Sequence, residues 1–296
     1  MGATWFSRFF RHPLEGAAVW VAFAVFRSMP INRASTLGGW IARKIGPHLS
    51  VNKVATNNLC RAFPELAPDE IAATALAMWD NLGRVAAEFA HLDRIDFYHP
   101  DGPVEVVGEE HVAQVLQGGQ GGIYFSAHLG NWEIASLSVT QKGVPLTHIY
   151  RAANNPFVER IVQRQRGAID GIHHPKGATG AKAMVAALKG GKHLAMLVDQ
   201  RLNDGIPVKF FGREAMTAPS MAQLALRFRC PLVPARVERL RGARFRVTLF
   251  PPMTLPDTGD KQADVLSLME QVNALIESWI RERPEQWLWV HRRWPD

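Results

Sequence analysis

The chain has 296 residues and a mass of 32.9 kDa, with 47% hydrophobic and 21% charged residues. This composition is that of a globular protein with a sizeable core; it excludes collagen, coiled coil, long disorder and a small disulfide scaffold. A net charge of +7 and a pI near 9.7 point to anionic partners: nucleic acid, an acidic protein or phosphate-bearing lipid.

No run of about 18 to 20 apolar residues is present, so no standard transmembrane helix is expected. The nearest is the short run from Gly16 to Phe26, preceded by Trp5, Phe6, Phe9 and Phe10 interleaved with Arg8, Arg11 and His12. Aromatic rings beside arginines suit a membrane interface, so residues 1–30 read as a membrane-associating segment and 31–296 as a single α/β domain. The alternative is a helix that packs on the body of the protein. Cys60 and Cys230 both lie in apolar surroundings and read as buried free thiols.

Residues 32–62 and 67–92 have helical character. Pro68, Asp69 and Glu70 open the second helix, and Ile71, Ala75, Met78, Trp79, Leu82, Val85, Ala86 and Phe89 recur at helical spacing. A strand at 104–107, a helix at 109–116 and a buried strand at 123–126 follow. The alternation continues with strands at 145–150, 193–198, 208–211 and 231–238 and helices at 156–166, 178–188 and 220–228. His173 and His174 fall in a Pro/Gly loop. A strand at 245–250, antiparallel to its predecessor, and an amphipathic helix at 265–280 close the chain. The predicted fold is α/β, a mainly parallel or mixed sheet flanked by helices, with a helical N-terminal layer. Seven arginines between 227 and 246, against Glu238 alone, predict a clustered positive surface.

The segment Ile123-Tyr-Phe-Ser-Ala-His-Leu-Gly-Asn-Trp-Glu133 runs from a buried strand through a turn into a helix start. In one regular helix His128 and Glu133 would lie about 140° apart, but the Gly130-Asn131 break lets them meet. Glu133 near a helix N-terminus would stay ionised and fix one nitrogen of His128, leaving the other as a general base in the crevice beyond the strand. A capped helix start with a structural histidine is the alternative. Arg151, at a strand end like His128, suits an oxyanion or phosphate. Asp199 and Arg201 occupy a comparable strand end. Arg160 and Arg164 share one helix face, either solvated or in contact with a carrier protein or phosphate.

His128-Leu-Gly-Asn-Trp-Glu133 is an HxxxxE pattern that resembles the HxxxxD/E motif of glycerolipid acyltransferases. The text around it is similar to the late acyltransferases of lipid A biosynthesis, the lauroyl/myristoyl transferase family. Further blocks agree in order: Asn58-Leu59 with Ala62-Phe-Pro-Glu65, Asn81-Leu-Gly-Arg84 with Glu88, and Tyr150-Arg151 with Asn154-Asn155-Pro156. Asp199-Gln200-Arg201, Phe210-Phe-Gly-Arg213 with Thr217, Pro231-Leu-Val-Pro234, Gln286-Trp-Leu-Trp289 and His291-Arg-Arg-Trp294 follow. The resemblance implies a glycerolipid acyltransferase-like fold and transfer of a fatty acyl group from acyl-acyl carrier protein to a hydroxyl of a lipid A precursor. It places the reaction at the cytoplasmic face of the bacterial inner membrane. His128 and Glu133 are then catalytic. Arg151, Asn155, Asp199 and Arg201 hold the oxyanion or substrate phosphate, and Arg160 and Arg164 meet the carrier protein or lipid phosphate.

No GxSxG nucleophile is present, so direct attack by the acceptor is expected, without a covalent intermediate. No cofactor is expected, and the remaining histidines lack metal-site spacing. Two other functions compete: an acyltransferase for another lipid acceptor (a lysophospholipid, glycerol phosphate or other glycolipid), and a catalytically silent lipid or nucleic-acid binder. No nucleic-acid-binding signature accompanies the basic pI, and none is expected as a partner.

Overall fold

A computed structural model describes residues 11–167 and 171–294. Trp5, Phe6, Arg8, Phe9 and Phe10 lie outside the described residues.

Among the described residues, four α-helices precede the first strand: α1 (His12–Ser28), α2 (Ile31–Ile45), α3 (Val51–Ala62) and α4 (Pro68–Glu88). The helix expected over 32–62 is two helices, because the 3₁₀ turn Gly46–His48 separates them and Pro47 has no N–H to continue the ladder. At the start of α4, Glu70 reaches back 2.8 Å to accept from the Ala67 N–H. Helices α2 and α4 cross backbone to backbone: a Cβ on Gly38 would lie 2.3 Å from the Gly83 carbonyl oxygen.

The rest of the chain alternates largely as predicted, with β4 and, further on, β7 not expected: β1 (Val104–Val107), α5 (Glu110–Gln117), β2 (Ile123–Ser126), the short α6 (Leu137–Thr140), β3 (Leu146–Tyr150), α7 (Pro156–Arg166), β4 (Gly171–Pro175), α8 (Ala178–Lys189) and β5 (His193–Leu197). Then come β6 (Arg201–Phe210), β7 (Arg213–Thr217), α9 (Ser220–Phe228), β8 (Leu232–Arg241), β9 (Arg244–Leu249) and α10 (Lys261–Glu282). A seven-stranded sheet has the order β1-β9-β8-β2-β5-β3-β4, and β6 and β7 form a separate antiparallel pair. Strands β8, β2, β5, β3 and β4 are mutually parallel, whereas β9 runs antiparallel to β8 and carries β1 with it. The predicted α/β fold with a mainly parallel, mixed sheet is therefore the fold observed.

Strand alternation divides the core. Ile123, Phe125, Leu194 and Leu232 point to a large cluster with α3, α4, α8, α9 and α10; Tyr124, Ala195 and Val233 point to a smaller one with α5 and α6. In α10 the buried face is Leu268, Val272, Ile276 and Ile280, each stabilising the fold by roughly 1.5–3 kcal/mol.

Three expectations need correction. His173 and His174 lie in β4, not in a loop, paired in register with His148 and Ile149 of β3. Cys60 is exposed, whereas Cys230 is buried and its thiol is pushed up to about 11 by that burial. The arginines of 227–246 do not form one positive surface, because Arg236 and Arg239 turn inward and others are paired with carboxylates. Arg239 is buried against Glu88, Arg236 pairs with Glu238 and Glu282, and Arg229 and Arg246 pair with Asp257 and Glu105.

Candidate active site

The site lies where β2 and β5, neighbouring parallel strands, end together. Ser126 and Leu197 are register partners, and the chain runs two residues further on each strand to His128 and Asp199. His128 Nδ1 donates to Asp199 Oδ1 at 2.8 Å, and the His128 backbone N–H donates to Asp199 Oδ2 at 2.9 Å. Trp287 Nε1 adds a third donor, 2.7 Å from Oδ2. Burial by itself raises the Asp199 carboxyl, but the charge and hydrogen bonds of His128 and the Trp287 N–H outweigh it and hold the group at about 2. Asp199 is thus an anion throughout the physiological range and fixes the proton of His128 on Nδ1.

The C-terminal segment completes this frame. Gly130 N–H donates to the Gln286 carbonyl at 3.0 Å, and Leu288 N–H donates to the His128 carbonyl at 3.1 Å. Gly130 has φ +59°, and a Cβ there would sit 2.5 Å from the Val237 oxygen, so only glycine fits the turn. Behind the turn lies a buried polar network. Glu88 forms an ion pair with Arg239 and accepts from Ser35 Oγ at 2.6 Å and Asn131 Nδ2 at 2.8 Å. Asn81 accepts from Arg239 Nε at 2.8 Å and donates to the Gly130 carbonyl at 3.0 Å. The Asn81, Glu88, Gly130-Asn131 and Gln286 motifs of the sequence therefore meet in one place, where they set the path of the histidine loop.

A cavity of about 1080 Å³ opens over His128 and wraps the C-terminal edge of the sheet. On one face, Tyr124, Ala195, His148 and His173 stand in a single register row, alongside Glu133 and Arg166. His148 stacks on His173 with ring centroids 4.6 Å apart, and burial, with His173 and Arg166 adding to it, pushes His148 down to about 3. On the other face, Phe125, Ile149, Met184, Met196 and Met221 make an apolar wall. Arg151, Lys176, Arg201 and Arg292 also line the cavity.

The expected contact between His128 and Glu133 is not the one made. The 3₁₀ turn Trp132–Ile134 carries Glu133 toward Arg166 Nη2, 3.1 Å from Oε1, while Asp199 occupies the histidine's Nδ1. Asp199 was expected to hold an oxyanion or phosphate, but a buried carboxylate repels both. Asn155 is also engaged elsewhere: it caps α7 by accepting from Phe157 N–H at 3.0 Å and donates to the His12 carbonyl at 2.8 Å. Arg151 and Arg201 do line the cavity. Arg160 and Arg164 are exposed on α7, where Arg160 lies over the Phe157 ring. Sequence reasoning did not assign Arg166, Gln200, Trp287 or His291, all of which are at the site.

A histidine held by a buried carboxylate stands at the strand ends of an α/β sheet, where such folds bind ligands, beside a cavity with room for a long, partly apolar molecule. Comparison with known proteins narrows the class. Residues 4–296 match the family model described as bacterial lipid A biosynthesis acyltransferase, and the chain belongs to that family of acyltransferases. It is 24% identical over 282 residues to the lipid A biosynthesis acyltransferase of Haemophilus influenzae, covering 91% of this chain and 82% of that protein. It is 23% identical over 251 residues to the lipid A biosynthesis lauroyltransferase of Escherichia coli, covering 81% and 78%. It is also 23% identical over 303 residues to the phosphatidylinositol mannoside acyltransferase of Mycolicibacterium smegmatis, covering 96% and 94%.

Proposed function

We propose that the protein transfers a fatty acyl group from the thioester of acyl-acyl carrier protein to a hydroxyl of a lipid A precursor, at the cytoplasmic face of the inner membrane. The observation that carries this reading is His128, fixed at Nδ1 by Asp199, with Nε2 in a cavity large enough for acyl chains. His128 is the general base, Asp199 orients it, and the acceptor oxygen attacks the thioester carbon directly. The wall of Phe125, Met184, Met196 and Met221 suits a hydrocarbon chain, since methionine adapts to flexible apolar ligands. Arg151 and Arg201, with Lys176, suit a substrate phosphate at the mouth. Glu133, paired with Arg166 across the cavity wall, is assigned to substrate positioning. Arg160 and Arg164 are assigned to the acidic carrier protein.

Residues 1–30 are proposed as the membrane-associating segment of a chain whose remainder, 31–296, is one α/β domain. Among the described residues no helix is long and apolar enough to cross a membrane. Exposed Leu14, Val19, Trp20, Val21 and Val25 on α1 support attachment in the interface plane.

The test is mass spectrometry of the envelope glycolipid with and without the gene, joined to transfer assays with purified protein. Loss of one acyl increment from lipid A, and transfer to its precursor in the assay, is the expected result. The mycobacterial relative favours a second reading, another glycolipid acceptor. Unchanged lipid A with a deacylated second glycolipid would establish that reading instead.

A further inference from the structure

We propose that Gln200 is the catalytic oxyanion donor of this site and that His291 is the residue that positions it; the proposal rests on the acyl-transfer reading above. The Gln200 amide nitrogen lies 3.0 Å from His128 Nε2 and 2.8 Å from His291 Nε2. Asp199 accepts at His128 Nδ1, so the proton of the neutral ring is there and Nε2 presents a lone pair. Only the NH₂ end of the glutamine can face a lone pair, which fixes the orientation of the amide. Its second hydrogen goes to His291 Nε2, which must likewise be an acceptor. Burial, reinforced by the neighbouring His128, lowers His291 from the ordinary histidine value, in favour of the neutral ring. Consecutive residues Asp199 and Gln200 thus grip both nitrogens of the base, and the C-terminal segment supplies the far anchor.

One Gln200 N–H occupies the position where the acceptor's O–H must point for His128 to take its proton. The incoming hydroxyl displaces that N–H, while the second hydrogen stays on His291. The amide then pivots about that anchor and remains beside the carbon under attack. In the step that follows, the acceptor oxygen bonds to the thioester carbon as His128 Nε2 takes its proton. The carbonyl π electrons move to oxygen, and the freed Gln200 N–H donates to that oxyanion. Collapse re-forms the carbonyl, breaks the carbon–sulfur bond and returns the proton from His128 to the departing thiolate. The products are an ester and a thiol, with no other reactant required.

Gln200 is exposed, so its replacement does not disturb the core. The experiment measures kcat and KM for both substrates across pH in full-length wild type, Gln200→Met, His291→Leu, His291→Gln and His128→Ala. Loss of one oxyanion donor is expected to lower kcat by about 10² to 10³ in Gln200→Met, with KM and the shape of the pH profile retained. His291→Leu should lower kcat in the same sense, and His291→Gln should restore part of it, because its amide oxygen can accept the anchoring N–H. A Gln200→Met enzyme that matches or exceeds wild-type kcat overturns the proposal, since Gln200 would then only cover the lone pair. A shifted pH profile at unchanged limiting kcat also overturns it, assigning Gln200 to tuning His128. The wild type and His128→Ala separate the two readings: no transfer by the wild type sinks the acyl-transfer reading, and a His128→Ala enzyme that stays active removes His128 as its base and this proposal with it. If it is inactive while Gln200→Met is active, only the present proposal fails.

Discussion

Asp199 Oδ1 lies 2.8 Å from His128 Nδ1 because the two residues stand at equivalent places, each two residues beyond a register-paired position on adjacent parallel strands. Their separation of 71 residues along the chain is closed by the sheet itself, without a flexible loop. Replacing Asp199 by Asn puts an amide NH₂ either against the His128 ring N–H or against both the His128 backbone N–H and Trp287 Nε1. Asp199→Asn should therefore lower kcat by about 10² to 10⁴, as loss of an oriented base does, with far-ultraviolet circular dichroism unchanged. Near wild-type turnover would remove Asp199 from the mechanism.

The same carboxylate sets an acid limit on stability. Its folded value, about 2, lies below the unfolded value of about 3.9, so its contribution is present in full above the unfolded value and is lost as pH falls through the folded one. Between about pH 4 and 2 the wild type should lose stability more steeply than Asp199→Asn in urea titrations. Parallel curves would show that the charge of Asp199 is not linked to folding.

Glu133 and Asp199 can be told apart directly. If Asp199 holds the Nδ1 proton, the low-field imidazole proton resonance should survive in Glu133→Gln and vanish in Asp199→Asn. Glu133→Gln should instead raise KM for the acceptor, since the lost partner is Arg166. A missing low-field resonance in Glu133→Gln would restore the pairing expected from HxxxxE.

The difference between these two carboxylates marks where the sequence stops being legible. Period-two and period-3.6 patterns located most elements, because burial of one face is a local signal. The boundary at Gly46-Pro47 and the strand holding His173 and His174 were less readable: Pro47 interrupts an otherwise continuous helical pattern, and a half-buried edge strand with two histidines lacks an apolar run. At the site, His128 was legible from strand, turn and breaker residues. Its partner was not, since the nearest carboxylate in sequence is Glu133, whereas strand order decides which is nearest in space. Gln200, Trp287 and His291 stand in motif blocks of the sequence, but their place beside His128 depends on the same long-range registration.

The buried pair of Glu88 and Arg239 should dominate the stability of the histidine loop. Glu88 is fully buried, and its removal strands a guanidinium, for which a cost of about 3–5 kcal/mol is expected in urea unfolding of Glu88→Ala. The double replacement Glu88→Met with Arg239→Met should cost less than the single change, because no charge is left unpaired. Equal or greater destabilisation by the double variant would show that hydrogen bonds to Ser35, Asn81 and Asn131, rather than charge compensation, carry the network.

Helix α1 should govern residence at the membrane. It is tethered on one side, where Gly16 meets Phe157, Arg27 forms a two-bond pair with Asp93 at 2.7 Å, and Asn155 donates to the His12 carbonyl. Opposite Gly16 on the helix, Leu14, Val21 and Val25 are exposed, as are Val19 and Trp20 on its flanks, and the 17 described residues of the helix reach about 25 Å, short of the roughly 30 Å hydrocarbon core. On the proposed attachment in the interface plane, apolar insertion and arginine–phosphate contacts add. High salt alone should leave the protein on anionic vesicles, whereas detergent should release it. Val21→Glu with Val25→Glu should cut vesicle binding and activity on vesicle-borne acceptor more than activity on detergent-dispersed acceptor, since the site is untouched. Gly16→Val tests the tether separately: a Cβ at that position already lies 2.5 Å from Phe157 Cβ, so the helix must undock. That variant should stay membrane-bound yet lose activity on vesicles, because the anchor would no longer hold the cavity at the bilayer surface. Full sedimentation of the double-glutamate variant with vesicles would place the anchor elsewhere, with exposed Arg292 of the C-terminal segment the next surface to test.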